Sequence, residues 1–279
     1  RVFDAAKAGH GGTLDPLASG VLPIALGEAT KTVFYTMGKS KSYEFSLAWG
    51  SETSTDDTEG EVIRQSDRRP SDDDIDRALT QFQGVIDRVP PDYSAIKIEG
   101  ARAYDLARRA GAGQPLPALK PRQVRIDEFR RLDSDQMGAR FFVGCGKGAY
   151  IRALARDLGR AVGSAAHVTD LRRLSVGQFQ ADDAISLDFL EKLTHSAAAS
   201  EHLHPVLSAL DDIPALPISG NEATKLRHGQ TLPALSASAQ KRFATLLTGC
   251  TAIAIEDQTP VALVTLKGGA VCPVRVLNL

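Results

Sequence analysis

The sequence predicts an α/β protein of the α+β kind, with a larger mixed domain over residues 1–212 and a small β-rich domain over 213–279. Three observations carry this. The 279 residues suggest two domains, at about 100–200 residues each. Alternating and helical segments are interspersed, yet strands separated by long helices do not recur as a doubly wound sheet requires. Finally, Asp211-Asp212-Ile213-Pro214 interrupts the pattern, and the chain beyond it is mostly β-like.

Val21 to Leu26 is a short apolar strand; after Gly27, Thr30, Val33, Phe34 and Met37 recur at helical spacing. Tyr43, Phe45, Leu47 and Trp49 alternate with Glu44, Ser46 and Ala48, which predicts a half-buried strand. Ser51 to Gly60 is polar and reads as a loop. Ser71 caps a helix whose first turn holds Asp72, Asp73 and Asp74, a favourable place for negative charge. Ile75, Leu79 and Phe82 form its buried stripe, and Gly84 ends it. Pro90-Pro91 forces an extended approach to a strand candidate at Tyr93 to Ile98. A helix from Ala101 to Ala110 stops at Gly111, and the Gly- and Pro-rich run to Pro121 is a loop. Gln123 to Phe129 and Ala139 to Cys145 read as strands. Tyr150 to Val162 is an amphipathic helix, with Ile151, Leu154, Leu158 and Val162 inward and Arg156 and Arg160 on the exposed face. Leu187 to Leu210 is Ala-rich and helical. Past the boundary, a short helix capped by Asn221 and closed by Gly229 precedes strands at Thr251 to Glu256, Val261 to Leu266 and Val271 to Leu277.

Composition excludes several classes. With 43% hydrophobic and 24% charged residues, the chain can build a core and is not disordered. No run of about 18 apolar residues occurs, so no membrane span is expected. The first residues lack a charged then apolar leader, so no signal peptide is expected; the chain opens at Arg1 rather than Met, so residues are expected to precede it. Cys145, Cys250 and Cys272 stand far apart and make neither a disulfide framework nor a zinc pattern, which favours a reducing cytoplasm and no metal. The net charge of −1 hides blocks. Glu52 to Asp92 holds 12 acidic and 5 basic residues; Lys97 to Arg131 holds 9 basic and 4 acidic, and Arg140 to Arg173 holds 7 basic and 2 acidic. Such blocks suit a mixed solvated surface, or an anionic partner.

Two segments invite chemistry. Gly144-Cys145-Gly146-Lys147-Gly148-Ala149 comes after a strand and opens a helix, but the doubly wound context is missing and Lys147 is not followed by Ser or Thr. It reads as a tight turn. Gly9 to Gly20 is a glycine-rich loop around Asp15. A carboxylate there stands clear of regular packing, free to act as nucleophile or base, or simply to cap its own turn before Pro16. No second acid sits in a comparable setting, as a glycosidase would need, and no serine sits at a nucleophile elbow.

The string Gly9-His10-Gly11-Gly12-Thr13-Leu14-Asp15-Pro16-Leu17-Ala18-Ser19-Gly20-Val21-Leu22-Pro23 closely resembles the signature of the TruB family of tRNA pseudouridine synthases. The resemblance continues at Leu26 to Lys31, Lys41 to Phe45, Pro90 to Lys97, Gly146 to Arg152 and Ala166 to Leu174, in the same order and similar spacing. Less distinctly, the C-terminal module with Leu226-Arg227-His228-Gly229-Gln230 resembles the family's RNA-binding PUA domain. The resemblance implies isomerisation of uridine 55 in the T-arm of tRNA, on a mixed, largely antiparallel sheet, without metal or organic cofactor. It implies no membrane and no obligate protein partner. Asp15 matches the nucleophile and Arg152 its ionic partner. Tyr43 matches a tyrosine that stacks on the target base and takes part in proton removal. Tyr150 and Leu171 match residues lining the base pocket, and Lys31 a lysine close to it. His10 matches the histidine that fills the stack vacated by the extruded base. By their positions alone, Tyr43 and Leu171 would be core residues and Arg152 a surface arginine at an unfavourable helix end. The chain begins just downstream of the family's opening Lys-Pro-x-Gly-x-Thr-Ser element, Gly11 stands for a threonine beside His10, and Ala149 for one before Tyr150. Two other roles share these motifs: the catalytic subunit of a guide-RNA pseudouridylation particle, and an RNA-binding or RNA-folding protein whose catalysis is incidental.

Overall fold

The computed structural model describes residues 2–94, 96–98, 100–110, 119–193, 197–234 and 249–279. They form two compact units whose division is not linear along the chain. One comprises Leu14–Val21 and Gly38–Ala184; the other comprises Arg1–Thr13, Leu22–Met37 and Ile185–Leu279. The second unit thus takes in segments that the sequence pattern assigns to the larger domain.

The first unit is built on a seven-stranded sheet in the order Phe179–Gln180, Ala166–Val176, Lys41–Trp49, Gly138–Cys145, Arg122–Ser134, Gly84–Arg88. These neighbours all pair antiparallel. Ala18–Gly20 adds to Ala166–Val176 in parallel, so the sheet is mixed but largely antiparallel, as expected. Tyr43, Phe45, Leu47 and Trp49 do share one buried face. Against it lie Ile151, Leu154 and Leu158 of the helix Ile151–Ala161, and Ile75, Leu79 and Phe82 of the acidic-capped segment. Ser71 closes a full capping box with Asp74 at the start of Asp72–Leu79. The glycine segment 144–148 is a turn between strand and helix, with Gly148 at φ +89°.

Several expectations are corrected. Ser51–Gly60 is not all loop, because Ser51–Thr53 forms a hairpin with Val62–Gln65. Its side chains are polar because they meet polar partners: Ser51 the His167 ring, Glu52 Arg64 and Arg160, and Thr53 the Asp57 carbonyl. Ala166–Val176, for which the sequence pattern predicts no element, is a central strand. Register shifts at Val168/Asp170 and Arg173/Ser175 break its alternation. The strand expected at Tyr93 to Ile98 shrinks to Lys97–Ile98, paired with Ala101–Arg102, and the next helix starts at Ala103. Most of the loop expected at Gly111 to Pro121 lies outside the described residues.

In the second unit, Ala8–His10 pairs with Ile24–Leu26, so the first strand is shorter than expected. The helix after it begins as a 3₁₀ segment, Gly27–Thr32. Three residues per turn shift the phase, so the expected stripe is not the buried one: Phe34 is 69% exposed, whereas Thr32 and Thr36 are buried. Leu187 to Leu210 is not one helix but Leu187–Lys192, Ala197–His202 and Val206–Leu210, with 194–196 outside the described residues. A five-stranded sheet runs Ala215–Pro217, Thr251–Glu256, Thr259–Lys267, Ala270–Val276, Leu232–Pro233. Leu226 and Ala223 of the helix Gly220–Arg227 pack on it. That helix is capped by Ser219 in a capping box with Glu222, not by Asn221. Ser219 outcompetes Asn221 because Glu222 stands at its third helical position.

Candidate active site

Asp15 lies in a turn closed by the Ala18 N–H donating to the Asp15 carbonyl at 2.9 Å. The residues on its C-terminal side anchor the turn. Ala18, Ser19 and Gly20 pair in register with Leu171, Arg172 and Arg173. The Arg173 Nε, fully buried, donates to the Val21 carbonyl at 2.7 Å, and Val21 N–H returns to the Arg173 carbonyl at 3.0 Å. Gly20 sits at φ +99°, and a Cβ there would collide with the Arg173 backbone. A glycine is therefore required where the loop joins the sheet.

Arg152 sits in the first turn of Ile151–Ala161, where the helix dipole disfavours a cation. It is nonetheless buried, its side chain 5% exposed. Its Nε donates to Asp15 Oδ2 and its Nη2 to Asp15 Oδ1, both at 2.8 Å, a bidentate clamp. Nη1 donates to the Thr55 carbonyl at 2.9 Å, and Nη2 also to the Tyr93 carbonyl at 3.0 Å. A second carboxylate, Asp57 Oδ2, faces Nη1 at 3.4 Å and is only 2% exposed. Two anions and two carbonyls thus offset the dipole and the desolvation of the guanidinium. The Asp15 side chain stays 30% exposed, so the clamped carboxylate still opens outward.

Tyr43 lies on the central strand opposite Arg173. Burial raises its pKa to about 12, and a hydrogen bond from Arg173 offsets only part of that rise. Its hydroxyl is therefore neutral at physiological pH. Tyr150 caps the arginine helix and is half-buried. Burial also raises its pKa, with the Ser94 hydroxyl pulling the other way. Leu171 packs in the core beside Ala18 and Phe45. Asp15, Arg152, Tyr43, Tyr150 and Leu171 all belong to this first unit. His10 and Lys31 belong to the second. His10 ends a strand there, opposite Ile24, with its side chain exposed. Lys31 Nζ donates to Glu28 Oε2 at 2.6 Å and to the Val276 carbonyl at 2.7 Å.

Sequence reasoning misses Asp57 and Arg173, which support the two ends of the site. It also places Arg156 on an exposed face, but that side chain is only 11% exposed. Its Nη1 meets Asp56 Oδ2 at 3.0 Å and its Nε meets Asp157 Oδ1 at 2.9 Å. The available signal is the spacing: Arg152, Arg156 and Arg160 lie on one helix face, and an acidic segment lies elsewhere to meet them. Among the described residues, no group of His, Cys, Asp or Glu side chains is placed to hold a metal. No helix among them is long and apolar enough to cross a membrane.

A mixed sheet bearing an arginine-clamped aspartate in a glycine-rich loop defines the class. The model of the TruB family pseudouridylate synthase N-terminal domain matches residues 1–151, and that of the tRNA pseudouridylate synthase B C-terminal domain matches 152–213. The chain belongs to the TruB family of pseudouridylate synthases. It is similar to the tRNA pseudouridine synthase B of Rhodospirillum rubrum, at 48% identity over 280 residues, covering 100% of this chain and 90% of that protein. It is also similar to that of Caulobacter vibrioides, at 46% over 281 residues, covering 100% and 89%. Among solved structures, a Cbf5-Nop10-Gar1 complex contains a chain of the same fold, with TM-score 0.71 at 24% identity, covering 99% of this chain and 78% of that one.

Proposed function

We propose that this protein isomerises uridine 55 in the T-arm of tRNA to pseudouridine, with Asp15 as the nucleophile. The observation that carries the reading is the Asp15 carboxylate, clamped through both oxygens by buried Arg152 yet 30% exposed. The clamp fixes the orientation of the carboxylate that attacks while leaving it open to substrate. Attack divides one hard step, breaking the N-glycosidic bond, into easier ones. The detached base turns and rejoins through carbon, and the bond to Asp15 breaks and returns the carboxylate. A proton taken up at the ring nitrogen that left the sugar matches the one lost from that carbon. Tyr43 stacks on the base and relays that proton through its neutral hydroxyl, with Arg173 donating to the phenol oxygen. Tyr150 and Leu171 line the base pocket, and Lys31 takes the substrate-binding role that the family resemblance gives it. His10 fills the stack left by the extruded base, whose removal costs a few kcal/mol.

Residues 213–279 supply a PUA-like RNA-binding module, and the larger part, 1–212, the isomerase. No cofactor or obligate protein partner takes part, and the protein works in the cytoplasm. Relatives at 46–48% identity bear the name tRNA pseudouridine synthase B, which favours free tRNA over a guide-RNA particle. The test is to incubate the protein with unmodified tRNA and map pseudouridine by position. Modification at position 55 supports the reading; unmodified tRNA, or modification elsewhere only, overturns it.

A further inference from the structure

The helix Ile151–Ala161 carries three arginines four residues apart, and each holds an acid of the 52–57 segment. Arg152 faces Asp57 at 3.4 Å, Arg156 meets Asp56 at 3.0 Å, and Arg160 meets Glu52 at 2.6 Å. Two of them also grip a second segment. Arg152 donates to the Tyr93 carbonyl and Arg156 Nη2 to the Val89 carbonyl, both at 3.0 Å. The same two segments are therefore stitched to the helix twice, one turn apart, and it is Arg152 that clamps Asp15.

Folding stability does not account for the lower stitch. Asp56 is 8% exposed and sits at φ +62°, a conformation uncommon outside glycine. Burial raises its pKa to about 6, even though Arg156, Arg152 and Arg160 all pull it down. A carboxyl with a higher pKa folded than unfolded, where it is about 3.9, binds more protons in the folded state. Stability therefore falls as pH rises through that window, and ionised Asp56 lowers stability at neutral pH.

Building on the isomerase reading above, we propose that Asp56 and Arg156 are positioning residues. They hold the Thr55–Asp57 turn and the Val89–Tyr93 segment where these can seat Arg152 against Asp15. The groups that bear on Asp56 are Arg152, Arg156, Arg160 and Asp157 of the helix. Arg88, from the strand Gly84–Arg88, reaches Asp157 at 3.8 Å. The strand Ala166–Val176 meets residue 56 through the Val168 N–H, which donates to the Asp56 carbonyl at 3.0 Å. The ring of His167 on that strand is turned to the Ser51 carbonyl at 2.9 Å. Protonating Asp56 removes one of the two anions that hold Arg156, Asp157 being the other, so the seat loosens as pH falls.

The experiment compares wild type, Asp56→Asn and Arg156→Lys. It measures single-turnover pseudouridine formation on tRNA from pH 5 to 8, tRNA affinity and melting temperature. Asn keeps the shape and tolerates the left-handed backbone. Lys keeps the charge but cannot bridge Asp56, Asp157 and the Val89 carbonyl together. Asp56→Asn is expected to slow the single turnover about tenfold or more at neutral pH, with affinity within about twofold. Its melting temperature does not fall, and it lacks the acid limb near pH 6 that wild type shows. Arg156→Lys is slowed as well but keeps that limb. Wild-type rates in both variants overturn this inference and leave the isomerase reading standing. Losses of rate that track losses of melting temperature return the pair to a structural role. A wild type that makes no pseudouridine overturns both readings.

Discussion

Asp15 and Tyr43 use opposite electrostatics. The carboxylate meets a guanidinium through both oxygens, whereas the phenol is buried so deeply that its pKa rises to about 12. A group in that state exchanges protons through its hydroxyl rather than as a standing phenolate. Tyr43→Phe keeps the aromatic face and removes only the hydroxyl. It is expected to retain tRNA affinity and lose most of its single-turnover rate; near wild-type turnover would return Tyr43 to the core. At this scale the sequence is partly legible. Asp15 and Arg152 stand inside recognisable strings. Asp57 does not announce itself, because it is one acid in a polar run, and only the hairpin brings it to Arg152.

At the scale of elements, legibility tracks regularity. Lys41–Trp49 alternates without interruption and is readable; Ala166–Val176 carries two register shifts and buries an arginine, so its pattern dissolves. The charged helix face misleads for a related reason. Arg156 looks like a solvated residue until the turn after Ser51–Thr53 supplies Asp56. Glu52, on Ser51–Thr53, shows the energetics of such pairing. Burial alone would raise its pKa, but hydrogen bonds from Arg160 and Arg64 outweigh that and hold it below the ordinary range. Ionised Glu52 therefore stabilises the fold above its unfolded pKa of about 4.3, and that contribution is lost as pH falls through the lower folded value. Glu52→Gln is expected to lower the melting temperature by a constant amount from pH 6 to 8. The gap should narrow on acidification below about pH 4.3. A gap that widens there would contradict the pairing.

Over the whole molecule, the acidic and basic blocks of the sequence cancel internally. Arg131 spans Asp72 and Asp76 at 2.8 Å, and Arg152, Arg156 and Arg160 take Asp57, Asp56 and Glu52. Four of the seven cations in the block from Arg140 to Arg173, namely Arg152, Arg156, Arg160 and Arg173, are thus engaged by other groups of the fold, while Arg140, Lys147 and Arg172 stay exposed. Cations that stay at the surface include exposed Lys120 and Arg122, and the charge of Arg122 bears on Tyr150. Replacing Lys120 or Arg122 by Gln is expected to flatten the plot of log tRNA affinity against log salt by about one unit each. Arg131→Gln should leave that slope unchanged, and equal effects from all three would refute the assignment. The division of the chain into its two units is the least legible feature. Lys31 and Glu28 bond the Val276 carbonyl and the Asn278 N–H, so early and late segments share one unit. No local pattern encodes such distant pairings.

The central claim is that Asp15 attacks the nucleoside, and one paired measurement on Asp15→Asn addresses it. Asn keeps the size and polarity of Asp and caps a turn almost as well, but it offers no anionic oxygen. Binding and single-turnover isomerisation are measured on the same tRNA after circular dichroism has established that the variant folds. The account expects affinity within about 1.4 kcal/mol of wild type, a factor of ten, and no pseudouridine. Substantial isomerisation by Asp15→Asn would remove Asp15 from the mechanism.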